Sequence, residues 1–233
     1  MTSSNIGRRD LLAGGAAVAA AAAGPAGAQP AAAARTFQPK PLPFSPAGVP
    51  GLSEKLLRSH YDNNYSGAVR RLNAIAGQLS GLDPATAPNF LLNGLKREEL
   101  VAWNSMILHE VYFAGLGAPT MPAGPLAAAI ERDFGSHQRW GAEFAAAGKA
   151  LGGGSGWVLL TWSPHDGRLV NTWAADHTMT LAGGTPILAL DMYEHAYQMD
   201  FGAAAGAYVD AFMKAISWHN ANEAFARLSR VSA

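Results

Sequence analysis

The chain has 233 residues, with 17 Lys and Arg against 17 Asp and Glu, seven His and no Cys. A formal charge of zero lacks the surplus of Lys and Arg that a phosphate backbone demands, so nucleic acid is excluded as a general partner. The absence of Cys excludes disulfides, thiolate metal sites, iron–sulfur clusters and cysteine nucleophiles.

Residues 1–34 read as an export address. Gly7-Arg8-Arg9-Asp10-Leu11-Leu12 precedes an Ala-rich stretch to Ala23 and an A-x-A site at Ala26-Gly27-Ala28. The paired arginines are those of a twin-arginine signal, a segment read by the export machinery rather than built into the fold. Cleavage is expected after Ala28 or nearer Ala34, delivering the protein to the periplasm or otherwise outside the cytoplasm. The apolar stretch is too short and too weakly hydrophobic for a stable membrane span.

Residues 29–51 are Pro-rich, with Pro39, Pro41, Pro43, Pro46 and Pro50, and are expected to run extended. From Leu52 to Ile75 the apolar and aromatic residues recur at helical spacing. After a loop holding Pro84 and Pro88, Lys96 to Leu116 repeats the pattern and closes on Gly115 and Gly117. Shorter helices are predicted at 124–134 and 137–150. Past Gly152-Gly153-Gly154 the period changes. Trp157 to Trp162, a Ser163–Gly167 turn and Leu169 to Ala174 predict a β-hairpin. Thr185 to Leu190 predicts a fully apolar third strand. Helix returns at Met192–Met199, Ala207–Trp218 and Asn220–Ser229. The implied domains are 35–123, a helical hairpin, and 124–233, a mixed α/β unit.

Four residues interrupt apolar surfaces. His60 shares a helical stripe with Leu56, Leu57, Tyr61 and Leu72; His109 shares one with Trp103, Met106, Tyr112, Phe113 and Leu116. Asp191 ends the apolar strand and His195 follows four residues later, on the same side of the strand-to-helix turn. A charge at the inner end of such a strand is costly unless paired or bound to a cation. Neutral imidazoles with one carboxylate suit Fe, Mn or Zn. Each residue alone has a plainer reading: the histidines as hydrogen-bonded core residues, and Asp191 as an N-cap for the next segment. His137, His165 and His219 stand in polar or turn contexts and are expected at the surface. Gly152-Gly-Gly-Ser-Gly156 lacks the Lys-Ser/Thr of a P-loop and precedes a strand, so it reads as a turn.

Asp191-Met-Tyr-Glu-His-Ala-Tyr197 closely resembles the D-x-W-E-H-A-Y signature of the iron/manganese superoxide dismutase family. Pro41-Leu-Pro-Phe44, Leu52-Ser53 through His60-Tyr61 to Leu72-Asn73, His109 to Phe113, Gly154-Ser-Gly-Trp157 and Trp218 resemble it in the same order, from about residue 37 to 228. The resemblance implies an α+β fold: an N-terminal long antiparallel helical hairpin, then a C-terminal α/β domain with a three-stranded antiparallel sheet. It implies one Fe or Mn ion per subunit on His60, His109, Asp191 and His195. It also implies superoxide as substrate, alternate M(III)/M(II) reduction and oxidation, and a homodimer bridged by Glu194.

Several positions depart from that pattern. Asn64 and Ala68 stand where the family has a His and a gateway Tyr, and Gln198 where it has the Tyr that pairs with that His. Phe113 and Tyr193 stand for tryptophans, and Ala224 for an Arg. The side chain bonding metal-bound solvent, usually Gln, has two sources. Ser105 at one is short, so the role falls to His177 at the other, a residue that also reads as a plain loop histidine. Asn64, Tyr65, Phe113, Trp157 and Gln198 then shape the substrate entrance, with Tyr65 available to turn toward the vacated gateway. The alternatives are a non-catalytic or retuned metal-binding relative, and a peroxide-using or oxidising metalloenzyme admitted by a wider entrance.

Overall fold

The computed structural model describes residues 35–231; the export signal expected at residues 1–34 lies outside the described residues. The chain runs extended, then makes a 3-10 turn at Pro46–Gly48. One helical rod follows, made of α1 (Glu54–Ser59), a π-helical turn at His60–Tyr65, and α2 (Ser66–Ser80). Ser53 caps the rod, its hydroxyl accepting from the Leu56 N–H at 3.1 Å. In the π turn the Ser66 N–H reaches back five residues to the Tyr61 carbonyl. The Asn63 side-chain amide donates to the Ser59 carbonyl at 3.0 Å, supplying a bond where the α ladder is interrupted.

The second helix, α3 (Asn89–Ala114), returns along α2, so that Arg71 meets Glu98 and His60 meets His109. It begins seven residues before the expected Lys96. Its first turns face mostly solvent and so carry no apolar period; Phe90 is 81% exposed. The helices α4 (Gly124–Phe134) and α5 (His137–Ala150) form where the sequence predicts them.

The sheet has β1 (Trp157–Ser163) at its centre, between β2 (Arg168–Ala174) and β3 (Thr185–Asp191), all antiparallel. Every residue of β1 is buried, as expected of a central strand covered on both faces. Two glycines let helices press onto β3. A Cβ at Gly115, the C-cap of α3, would lie 2.6 Å from Leu188 Cδ1, and one at Gly148 of α5 would lie 2.7 Å from Leu190 Cδ2.

The helix expected at Met192–Met199 is instead a 3-10 turn, Glu194–Ala196, followed by α6 (Gln198–Phe201). Tyr193 before the turn is extended, at φ −68° and ψ 144°, and its N–H is tied back to Asp191 Oδ1 at 2.8 Å. Next come α7 (Ala205–Lys214) and α8 (His219–Val231). α7 stops short of the expected Trp218 because residues beyond it bridge to the end of α3. Leu116 pairs with Ile216, and the Ser217 N–H donates to the Gly115 carbonyl at 2.8 Å. His137 also departs from expectation. It is half-buried, stacked on Trp140 at 5.2 Å and edge-on to Trp218 at 5.6 Å, with Nε2 inside. No helix of the described residues is long and apolar enough to cross a membrane.

Candidate metal centre

Four distant segments meet between the hairpin and the sheet. The start of the π turn presents His60, α3 presents His109, the last residue of β3 is Asp191, and the 3-10 turn presents His195. One ligand atom from each lies within 4.8 Å of the other three. The Nε2 atoms of His60, His195 and His109 stand 3.1, 3.2 and 3.5 Å from one oxygen, Asp191 Oδ2. His60, His109 and Asp191 are at most 1% exposed, whereas the His195 side chain is 26% exposed, so the cluster opens to solvent on the His195 side.

The chemistry of these atoms asks for a cation. Burial pushes the His109 pKa down to about 3, opposed by the charge of Asp191, so its ring is neutral near pH 7. Its single proton lies on Nδ1, which donates to the Ser105 carbonyl at 2.6 Å, because a carbonyl can only accept. Nε2 is therefore a bare lone pair, buried and without a hydrogen-bond partner. It faces the Asp191 carboxylate, a second acceptor, and two buried acceptors face each other at a cost unless a cation lies between them. Burial also lowers the His60 pKa, against the hydrogen bond and charge of Asp191. Asp191 is held below the usual carboxylate range: burial works the other way, but the charge of His195 and the hydrogen bonds of His195 and His60 outweigh it. Neutral His60 and His109 beside one ionised carboxylate fit Fe or Mn.

Asp191 divides its work. Oδ2 faces the three rings, and Oδ1 accepts the Tyr193 N–H in the cap-like bond that the sequence also allowed.

His177 comes from the loop after β2. Its carbonyl is held by the Asn104 side-chain amide at 2.5 Å, and the neighbouring Asp176 folds the loop by accepting from the Thr178 N–H and hydroxyl, both at 2.7 Å. Trp157 Nε1–H donates to His177 Nδ1 at 2.9 Å. An indole can only donate, so Nδ1 must accept, and neutral His177 carries its proton on Nε2. The ring stacks on Tyr193 at 4.9 Å, Tyr193 stacks on His195 at 5.5 Å, and the His109 ring lies 6.3 Å from His177. The sequence placed Trp157 beside the entrance but gave no sign of this tautomer lock, of Asn104, or of the Ser105 carbonyl. Only donor–acceptor pairing in space reveals them.

Phe113 packs on His60 at 5.1 Å. Tyr65 is buried, and its hydroxyl accepts from the Lys40 N–H at 2.8 Å and donates to Glu110 Oε1 at 3.1 Å; Lys40 Nζ also pairs with Glu110. Tyr61, Tyr65 and Phe113 line a surface pocket of about 310 Å3. Ala68 is buried, Asn64 half-buried, and Glu194 and Gln198 exposed.

Residues 122–224 match the family model described as iron/manganese superoxide dismutases, C-terminal domain. The chain is 68% identical over 194 residues to the superoxide dismutase [Fe] of Cupriavidus metallidurans, an alignment spanning 83% of this chain and 98% of that protein. It is 34% identical over 193 residues to superoxide dismutase [Mn] 1 of Halobacterium salinarum, covering 81% and 94%. It is 33% identical over 190 residues to the superoxide dismutase [Fe] of Aquifex pyrophilus, covering 78% and 88%. Such coverage at such identity leaves one conclusion: the chain belongs to the iron/manganese superoxide dismutase family.

Proposed function

We propose that this chain is an exported superoxide dismutase that holds one iron or manganese ion per subunit on His60, His109, Asp191 and His195. The observation that carries this reading is the bare Nε2 of His109, buried opposite the Asp191 carboxylate with no proton to place between them. Two superoxide anions and two protons give O2 and H2O2. When bound, the ion supplies the one-electron steps in each direction.

The chain's own residues do the rest. The Asp191 charge favours the oxidised ion, the neutral imidazoles favour the reduced one, and the balance sets the potential. The Ser105 carbonyl fixes the His109 tautomer, so that Nε2 is always the free atom. His177, locked by Trp157 with a proton on Nε2, would donate a hydrogen bond to solvent drawn to the bound ion. With Asn64 and Ala68 in place of a His and a Tyr, no phenol or imidazole from those positions guides protons, so their delivery rests on His177 and bulk water.

The twin-arginine pattern of residues 1–34 supports export to the periplasm. Glu194, exposed and adjacent to His195, supports a homodimer in which it reaches the partner's centre.

The test pairs metal analysis with pulse radiolysis on protein isolated from its own periplasm. One Fe or Mn per chain, with superoxide removal well above that of free ion, is the expected result. Stoichiometric metal with no such removal establishes the alternative reading, a non-catalytic relative with an altered entrance, which Asn64, Ala68, Gln198 and Ala224 favour.

A further inference from the structure

Asp200 lies in α6, five residues after His195, and one residue of the hairpin occupies both its carboxylate oxygens. Oδ2 accepts the Ser53 N–H at 2.7 Å and Oδ1 accepts the Ser53 hydroxyl at 2.6 Å. Ser53 is also the N-cap of the rod that presents His60 seven residues later. Two short covalent spans therefore leave this clasp. One climbs α1 from Ser53 to His60, about 10 Å at the α-helical rise. The other runs back from Asp200 to His195. Their far ends meet again at the centre, where the His60 and His195 rings lie 4.7 Å apart and both Nε2 atoms face Asp191 Oδ2. The circuit closes through the two halves of the fold, and the clasp is its tie away from the ligands. A carboxylate at the rod's N-terminus also meets the positive end of the helix dipole, and its two bonds are charge-assisted.

We infer that Asp200 is a positioning residue: through Ser53 it holds His195 against His60, and so governs how tightly and in what symmetry the ion is gripped. The inference rests on reading the cluster as a metal centre.

The experiment loads the protein with iron(III) and follows its release to excess EDTA, with the electron paramagnetic resonance spectrum of the bound ion as second readout. Asp200→Ala should release iron about tenfold faster, the scale of a lost charge-assisted hydrogen bond, and should alter the rhombicity of the spectrum. Ser53→Ala keeps the N–H and should fall between Asp200→Ala and the parent. Asp133→Ala removes another carboxylate that joins separate elements, accepting from the Leu169 N–H at 2.7 Å and from Arg132. It should lower the melting temperature without changing release or spectrum. Release from Asp200→Ala no faster than from Asp133→Ala, with a parental spectrum, overturns the inference. Where Asp200→Ala does not fold, Asp200→Asn, which keeps one acceptor oxygen, carries the same comparison. Failure of the parent protein to take up one iron or one manganese ion per chain overturns the metal reading itself, and shows before any variant is made.

Discussion

Asp191 and His109 illustrate how single atoms are assigned. One carboxylate oxygen turns the backbone at Tyr193 and the other faces three imidazoles, while the Ser105 carbonyl decides which nitrogen of His109 is bare. His109→Ala should therefore abolish metal occupancy, read by elemental analysis of the folded variant. His177→Ala should keep the metal and shift its midpoint potential. Trp157→Phe should do so more weakly, because it frees the tautomer at a cost of about 1 kcal/mol; an unchanged potential in both would remove His177 from the site. The metal-free protein should also be acid-sensitive. His60 and His109 are held below the ordinary imidazole range when folded, His109 at about 3, whereas unfolded imidazoles titrate near 6.5. Between those values the unfolded chain binds more protons than the native one. Stability thus rises with pH across the window and is lost as pH falls from about 6.5 toward 3. Asp191, lowered in the fold, adds a loss of the same sign below about 4. Urea midpoints at stepped pH test this, and a flat profile contradicts it.

Elements were legible where packing writes a period into the sequence. The boundaries of α4 and α5, and those of all three strands to within one residue, follow from apolar repeats and their punctuating glycines. The start of α3 was not, because its exposed first turns bury little. Nor was the break after Asp191, because a side-chain bond to Tyr193 overrides a sequence that otherwise suits helix. His137 was misjudged from its polar neighbours in sequence, while Trp140 and Trp218 cover it in space. The π turn left a faint mark: Leu57, Tyr61, Tyr65 and Val69 are spaced by four throughout, a drift of about 40° per step in a plain α-helix. Gly156 offers the sharpest test at this scale. Its φ is +137°, and a Cβ there would stand 2.1 Å from the Ala174 carbonyl oxygen. Gly156→Ala should cost about 3–5 kcal/mol or prevent folding, as read by denaturant midpoints.

At the scale of the molecule, drawing the proposed ligands from both halves makes metal binding and folding one equilibrium. Iron or manganese at a hundredfold excess over its dissociation constant should stabilise the fold by about 2.7 kcal/mol, seen as a rise in melting temperature that EDTA reverses. The fold class and the four clustered residues were legible because motif and apolar pattern are local. The Ser53–Asp200 clasp was not, because its partners stand 147 residues apart and neither is unusual where it sits. The widened turn at His60–Tyr65 has one last bearing on the whole. It separates the residue aimed at the cluster from the stretch that rests on α3, so it works as a phase setting between aim and seat. Excising one residue there would leave the rod long, apolar and well seated, yet rotate His60 by about 100° about the axis. Lineages that trim this stretch would inherit the shape of the molecule and lose its grip on metal.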